Sequence, residues 1–522
     1  MALARTHAMA LAGVQGHVVE IEADIENGLP ALFLVGLPDT ALREARDRIR
    51  SAIVNSGQSW PQRRVTVGLS PASLPKRGSA FDVAIALAIL SADGAFPMER
   101  LVGTVFVGEL GLDGRLRPVA GILPSVAGAA AAGFARAVVP PENAPEALLV
   151  PGMQVTSAPT LGALIDWLRG EPAQSAGPTV QVLDSGAGLS PPPPSASTPV
   201  GAFPRDLADV VGQPVARRAA EISAAGGHHM LLLGPPGTGK TMLAERMPTI
   251  MPALEPPAAL EVSTIHSIAG TLKAASPLMT DPPFCAPHHT ATKAAIVGGG
   301  SGIIRPGAAS LAHHGCLFLD EAPEFARDVL DALRQPLESK EVVIARSGLT
   351  ARFPARFTLV LAANPCPCAK TAASGEACTC TPLMRRRYLA RLSGPLLDRV
   401  DVKVELLPVG RAELLSDRQL TEPSAVVADR VREARLRAAQ RLDGTPWRLN
   451  AEVPGSELRR SYRPAGGALA PLERAMDLGQ VSARGTDRII RMSWTLADLA
   501  GLPRPGRDQI GAALGMWLGA GL

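Results

Sequence analysis

The chain has 522 residues, 46% of them apolar and 19% charged, which supplies enough apolar surface for several packed domains and argues against global disorder. No uninterrupted apolar run approaches the ~18 residues of a spanning helix, no cleavage-site signature follows the N-terminus, and six cysteines are too few for a disulfide scaffold. Membrane and secreted classes are disfavoured and a cytoplasmic chain is expected, while the net charge of +4 permits an anionic partner without specifying one.

Residues 1–170 mix two periodicities. His17–Ile25 (HVVEIEADI) alternates apolar and polar positions, and Arg64–Leu69, Thr104–Val107 and Ala137–Val139 also read as strands. Thr40–Val54, Phe81–Leu90 and Pro124–Ala132 read as helices, so an α/β or α+β domain follows. Residues 171–204 read as a linker, with four consecutive prolines at 191–194 and no Lys or Arg. Residues 205–410 alternate again, with strands at Met230–Leu233, Cys316–Leu319 and Thr358–Ala362. From 411 to 522 the apolar spacing is helical, most plainly in Val427–Leu442 and Thr486–Gly501, and predicts a C-terminal helical domain.

Gly234-Pro235-Pro236-Gly237-Thr238-Gly239-Lys240-Thr241 matches G-x-x-x-x-G-K-[ST], between an apolar strand and a helix. Such a loop turns backbone N–H groups onto a phosphate of ATP, its Lys240 reaches the β/γ-phosphates, and Thr241 ligates Mg²⁺. The strand Cys316–Leu319 ends in Asp320 and Glu321, placing Asp320 on the Mg²⁺ shell and Glu321 as the base that activates water. A third strand ends at Asn364, which either orients that water or merely opens the turn into Pro365. The three strands together describe a P-loop ATPase with a parallel sheet.

Four cysteines lie within fifteen residues, as Cys366-Pro-Cys368 and Cys378-Thr-Cys380. They can surround a structural Zn²⁺, although C-x-C is tighter than the usual C-x₂₋₄-C, and reduced thiols or a disulfide remain alternatives. Cys285 and Cys316 read as core packing. Six of the nine histidines form adjacent pairs, 228/229, 288/289 and 313/314, and sequence neighbours are poor partners for one metal.

DLADVVGQPVARRAAEISAAGG (206–227) resembles the opening of AAA+ ATPases. APHHT (286–290), VGGGS (297–301), RPG (305–307), SLAHHG (310–315), FLDEAPEF (318–325) and LSGPLLDRVD (392–401) are similar to the magnesium-chelatase-like ComM/YifB family. The resemblance spans nearly the whole chain outside the linker, and implies a bacterial, homohexameric ATPase that drives DNA branch migration in natural transformation. It places Arg399 at the arginine finger, where the residue-level alternative is a surface pair with Asp398 or Asp401. It also places Arg484 at the second sensor arginine, with Arg488 and Arg491 one and two turns on. The long stretch before Asp320 resembles a helix-2 insertion. Glu341–Arg356 reads as a hairpin around Ser347-Gly348. By resemblance both line a pore, where Lys340, Arg346 and Arg352 would meet DNA phosphates or stay solvated. LPKRGSAFDVAIALAIL (74–90) and GELGLDGRLRPVAGI (108–122) look like the protease domain of Lon, but Ala80 and Leu123 stand at its nucleophile and lysine positions. The implied N-terminal module is therefore non-catalytic. Two other functions fit parts of the pattern, a metal-chelatase motor subunit and a protein unfoldase. No small-molecule substrate beyond ATP is implied.

Overall fold

A computed structural model of the chain describes residues 2–36, 39–72, 74, 76, 78–170, 179–185, 205–300, 304–346, 349–369, 378–410 and 421–519. It is a mixed α/β structure. Among the described residues no helix is long and apolar enough to cross a membrane.

Among the described residues the N-terminal unit has ten strands: β1 Ala2–Ala12, β2 Gln15–Glu26, β3 Ala31–Val35, β4 Arg64–Ser70, β5 Thr104–Phe106, β6 Glu109–Leu110, β7 Leu116–Arg117, β8 Arg136–Val139, β9 Gln154–Ser157 and β10 Gln181–Asp184. Eight of them form one mixed sheet in the order β10-β9-β8-β5-β1-β2-β4-β3, and β6-β7 is a separate ribbon. The alternation in β2 sends Val19, Ile21, Ala23 and Ile25 into the core, each at most 4% exposed. Helix Asp82–Ala92 is apolar all round, so ten of its eleven residues are buried against this sheet. One sequence expectation is corrected here. Within the Pro-rich 171–204 segment, Gln181–Asp184 pairs antiparallel with β9 as an edge strand. The local sequence Gln-Val-Leu-Asp is short and half-apolar, and only the open edge of β9 reveals its register. The four prolines lie outside the described residues.

The second unit holds β11 Met230–Leu233, β12 Phe284–Cys285, β13 Cys316–Leu319, β16 Thr358–Ala363 and β17 Val402–Glu405 in a parallel sheet ordered β12-β13-β16-β11-β17. All residues of β11, β13 and β16 are buried, as expected for parallel strands covered on both faces. The C-terminal helices Ser424–Arg441, Ala483–Leu499 and Arg507–Leu518 share one apolar core with β11, β16, β17 and helix Pro214–Gly226. Helix Pro256–Ala269 and the hairpin β14 Glu341–Arg346 with β15 Leu349–Pro354 stand apart from the sheet. The hairpin turn 347–348 and the Arg346 side chain lie outside the described residues.

The two units touch through those insertions. Ser267, on helix Pro256–Ala269, accepts from the Gly121 N–H at its carbonyl and donates from its hydroxyl to the buried Glu146 at 2.7 Å. The tip of the β1–β2 hairpin lies on β15: a Cβ on Gly13, whose φ is +62°, would meet the Arg352 carbonyl oxygen at 2.6 Å. Leu11 and Val14 pack there against Ala351 and Phe353.

Candidate active site

Gly234 follows β11, and its N–H donates to Ala363 O at 3.1 Å, so the loop starts tied to β16. A side chain at Gly234 would strike Leu406 O at 2.5 Å. Gly237 and Gly239 have φ of +78° and +91°, the left-handed region that glycine enters without strain. Gly239 caps helix Lys240–Ile250 and no side chain caps its first turn, which leaves backbone N–H groups facing the loop, a ready anion site. Thr238 Oγ1 donates to Pro235 O at 2.8 Å, while Pro236 is exposed at the tip. Gln213, which sequence reasoning did not single out, staples the loop through Thr238 O at 3.2 Å and Leu407 O at 2.7 Å.

Lys240 is 8% exposed, and its Nζ donates to Gly234 O at 2.5 Å, Pro235 O at 2.8 Å and Asn364 Oδ1 at 3.1 Å. Burial lowers its pKa, and the nearby Asp320 and Glu321 partly offset this. Thr241 Oγ1 donates to Asp320 Oδ2 at 2.7 Å, the pairing expected of two residues that share a Mg²⁺ shell. The Glu321 N–H donates to Asp320 Oδ1 at 2.9 Å. Glu321 itself has φ +49° and ψ +44°, an uncommon backbone for a non-glycine residue and a known mark of functional positions. Its carboxylate is about half exposed, with His289 Nδ1 at 3.5 Å. The structure thus brings Lys240, Thr241, Asp320, Glu321 and Asn364 together at the C-terminal ends of β11, β13 and β16, where open parallel sheets bind ligands. Tyr388, another residue the sequence did not flag, stands behind them. Burial, then Glu324 and Glu321, push its phenol up to about 12, and the Asn364 backbone N–H is its hydrogen-bonding counterweight.

Arg399 and Arg484 are not part of this cluster. β17 runs parallel to β11 with Val402 opposite Met230, so Arg399 sits where the strands begin and the phosphate loop sits where they end. Four strand residues at about 3.3 Å each put roughly 13 Å between these edges. The Arg399 guanidinium is 12% exposed and pairs with Glu338, not with Asp398 or Asp401, while its buried Nε has no hydrogen-bond partner among the described residues. It lines a recess of about 380 Å³ with Asp331, Arg334, Gln335, Glu338 and Ser339. Burial and the charges of Arg334, Arg488 and Arg484 lower its pKa, so these four cations share one neighbourhood. Arg484 is exposed on the first turn of helix Ala483–Leu499. Arg488 is occupied by Asp401 at 2.5 Å, and Arg491 donates to Val453 O at 2.6 Å.

Lys340 is half-buried, and burial lowers its pKa, which the charges of Glu452 and Asp401 partly offset. Its φ of +62° turns the chain at that point. Arg352 is exposed and paired with Glu341 at 2.8 Å. His313 and His314 converge on Glu261 Oε2, at 3.0 and 3.3 Å, because His314 is left-handed with φ +57°. His313 Nδ1 accepts the Arg356 N–H at 2.9 Å, so its proton lies on Nε2 and the contact is a hydrogen bond, not a metal site.

The cysteine sulfurs are gathered. Cys366–Cys368 is 3.3 Å, and Cys366–Cys378 and Cys368–Cys378 are each 3.5 Å; all four Sγ atoms lie within 4.8 Å of one another. These are free thiols, far beyond the ~2.05 Å of a disulfide. A tetrahedron of 2.3 Å zinc–sulfur bonds has edges of about 3.8 Å, so the donor set fits a single Zn²⁺. Cys316 is buried and Cys285 packs partly buried beside it, as core residues do.

A phosphate loop on a five-stranded parallel sheet, with acidic and amide strand ends facing it, defines a P-loop ATPase of the AAA+ class. Family models described as magnesium chelatase, subunit ChlI, as subunit ChlI of Mg-chelatase, and as magnesium chelatase, subunit ChlI C-terminal, match residues 206–414, 21–143 and 421–516. An uncharacterized protein of Mycobacterium tuberculosis is 51% identical over 98% of both chains. Competence protein ComM of Haemophilus influenzae is 40% identical over 99% of this chain and 97% of its own, and YifB of Escherichia coli is 40% identical over 96% and 94%. The chain belongs to the magnesium-chelatase-like ComM/YifB family. A shorter similarity, 26% over 30% of this chain and 21% of the other, links it to a Lon protease of Salinispora arenicola.

Proposed function

We propose that the protein is a ring-forming, homohexameric ATP motor that moves or remodels DNA in the cytoplasm, most specifically by branch migration. The observation that carries the ring is the separation of Lys240 and Arg399 onto opposite edges of one sheet. A site with its arginine on the far edge is completed by a neighbour, whose Arg399 and Arg484 would face the γ-phosphate.

In that site the first-turn N–H groups and Lys240 hold the phosphates, with Lys240 exchanging its carbonyl partners for them. Thr241 and Asp320 would hold Mg²⁺, which would supply charge neutralisation to the phosphates. Glu321 takes the proton of the attacking water, and Asn364 orients that water while remaining on Lys240. Arg399 from the neighbour stabilises the charge that develops.

The DNA reading is supported by the relative whose printed name assigns it to competence, and by the helix Pro256–Ala269 and the β14–β15 hairpin, which project from the sheet. The N-terminal unit, Lon-like and non-catalytic with Ala80 and Leu123 at the two chemical positions, braces both insertions through Ser267–Glu146 and Gly13–Arg352. The helices beyond residue 421 act as the lid of the ATPase core, and the four cysteines hold a structural zinc. The test is ATP hydrolysis with and without branched DNA, on wild type and Glu321→Gln. Stimulation by branched DNA that the variant abolishes supports the motor. Hydrolysis indifferent to any DNA removes the DNA reading and turns attention to a chelatase-type or unfoldase motor.

A further inference from the structure

We infer that the zinc held by Cys366, Cys368, Cys378 and Cys380 fixes Asn364 against Lys240, so that metal loading governs the hydrolysis step and not nucleotide binding. The inference rests on the ATPase reading above.

The chain leaves β16 through Asn364-Pro365-Cys366 and returns through Cys380-Thr381-Pro382 into helix Pro382–Leu389. Asn364 opens the outgoing segment two residues before Cys366, and its side chain accepts from Lys240 Nζ at 3.1 Å. The returning helix has few anchors: residues 382–387 are all exposed, Leu383 by 56% and Met384 by 49%. It is anchored at its C-terminal end by the buried Tyr388 and by Leu389, which packs on the core, and, two residues before its first turn, by Cys380.

The sulfur cluster is therefore the place where the outgoing and returning segments cross. Closing a loop between Cys368 and Cys378 costs chain entropy, and four thiols offer only weak hydrogen bonds in return. Four metal–thiolate bonds supply what the thiols cannot. Arg385 Nη2 lies 3.4 Å from Cys378 Sγ, the placement a cation takes beside the net negative charge of a tetrathiolate zinc centre. Prolines 365 and 367 flank Cys366, fixing φ on both sides of it and shortening the lever between the metal and Asn364. The phosphate loop has ties of its own that do not pass through the cysteines, from Gln213 to Thr238 O and from the Gly234 N–H to Ala363 O. That division is why turnover, and not affinity, is expected to depend on the metal.

The experiment uses full-length protein. Elemental analysis of wild type should give about one zinc per chain. Cys378→Ser should lose the zinc and lower kcat about tenfold or more, with the dissociation constant for a fluorescent ADP analogue changed less than about twofold. Cys378→His, which keeps a fourth zinc ligand, should restore both metal and kcat. Should Cys378→Ser fail to fold, wild type treated with a mercurial in the presence of a chromogenic chelator releases its zinc with a parallel fall in kcat, and thiol plus zinc reverse both. Wild type that binds no zinc when purified or when supplied with it overturns the metal site and leaves the ATPase reading intact. Zinc lost with kcat unchanged overturns the link to Asn364. An absence of ATP hydrolysis in zinc-loaded wild type overturns the ATPase reading and, with it, the inference.

Discussion

Arg399 pairs with Glu338 at the edge of the parallel sheet where β17 begins, while Lys240 stands at the edge where β11 ends. The cation that the motif LLDRVD provides is thus satisfied within its own subunit, by a carboxylate that is 66% exposed. Glu338 lies at the end of helix Arg334–Ser339, which leads directly into the hairpin strand β14. Exchange of Glu338 for a neighbour's phosphate would therefore be felt at the hairpin base. In the proposed shared site this one carboxylate would link engagement of Arg399 to the position of the hairpin.

Glu338→Gln should free Arg399 without opening a cavity. Glu338 is exposed although Arg399 is not, so solvent screens the pair to about 1 kcal/mol and the effect is modest. Subunit assembly in the presence of a non-hydrolysable ATP analogue should occur at a few-fold lower protein concentration, read by analytical ultracentrifugation. Unchanged assembly and unchanged hydrolysis would show that the pair does not restrain the finger.

Glu321→Gln removes the proton acceptor while preserving shape, and hydrolysis should fall by about 10²–10⁴-fold with ATP still bound. Glu321→Gly should be equally inactive. Because φ is +49° there, the glycine should relieve strain of about 1 kcal/mol or more, so its melting temperature should not fall. A clearly less stable glycine variant would mean that the left-handed backbone carries no strain.

His229 is buried, and burial pushes its pKa down to about 3, helped by the charge of Lys340. Its Nδ1 accepts the Leu359 N–H at 3.0 Å, so the ring stays neutral in the folded state. The unfolded chain protonates this histidine near 6.5, and between there and about 3 it binds more protons than the folded chain. The His229 contribution is therefore fully present above pH 6.5 and declines as pH falls toward 3, by up to about 1.4 kcal/mol per unit. His229→Asn keeps an acceptor for Leu359 and removes the titration. Denaturant midpoints at pH 7.5 and 5 should show wild type losing more stability than this variant, and parallel losses would contradict the assignment.

The half of the site around Lys240 was legible because its signals are local. Met230–Leu233 and Cys316–Leu319 are uniformly apolar, as buried parallel strands must be, and the structure gives those same bounds. Asp320, Glu321 and Asn364 follow from being the first polar residues beyond such strands. What was not legible depends on distant partners. Nothing near Glu338 indicates Arg399, 61 residues on, and nothing near Glu261 indicates that two adjacent histidines will converge on it. Nor does the sequence show that Lys340 is half-buried, with the left-handed backbone that ends helix Arg334–Ser339. The strand Gln181–Asp184 was hidden for the same reason, since four residues in a Pro-rich segment become a strand only against β9.

The central claim is that each ATP site is shared between two subunits, and mixing two inactive variants tests it most directly. Lys240→Ala cannot bind the phosphates productively, and Arg399→Ala lacks the finger, so each alone should lose about 10³-fold or more of the hydrolysis rate. In a mixed ring, a Lys240→Ala subunit still offers its Arg399 to the intact phosphate loop of an Arg399→Ala neighbour. Equimolar mixing should therefore restore a substantial fraction of wild-type hydrolysis. Mixed oligomers that form and remain inactive at every ratio would contradict a shared site.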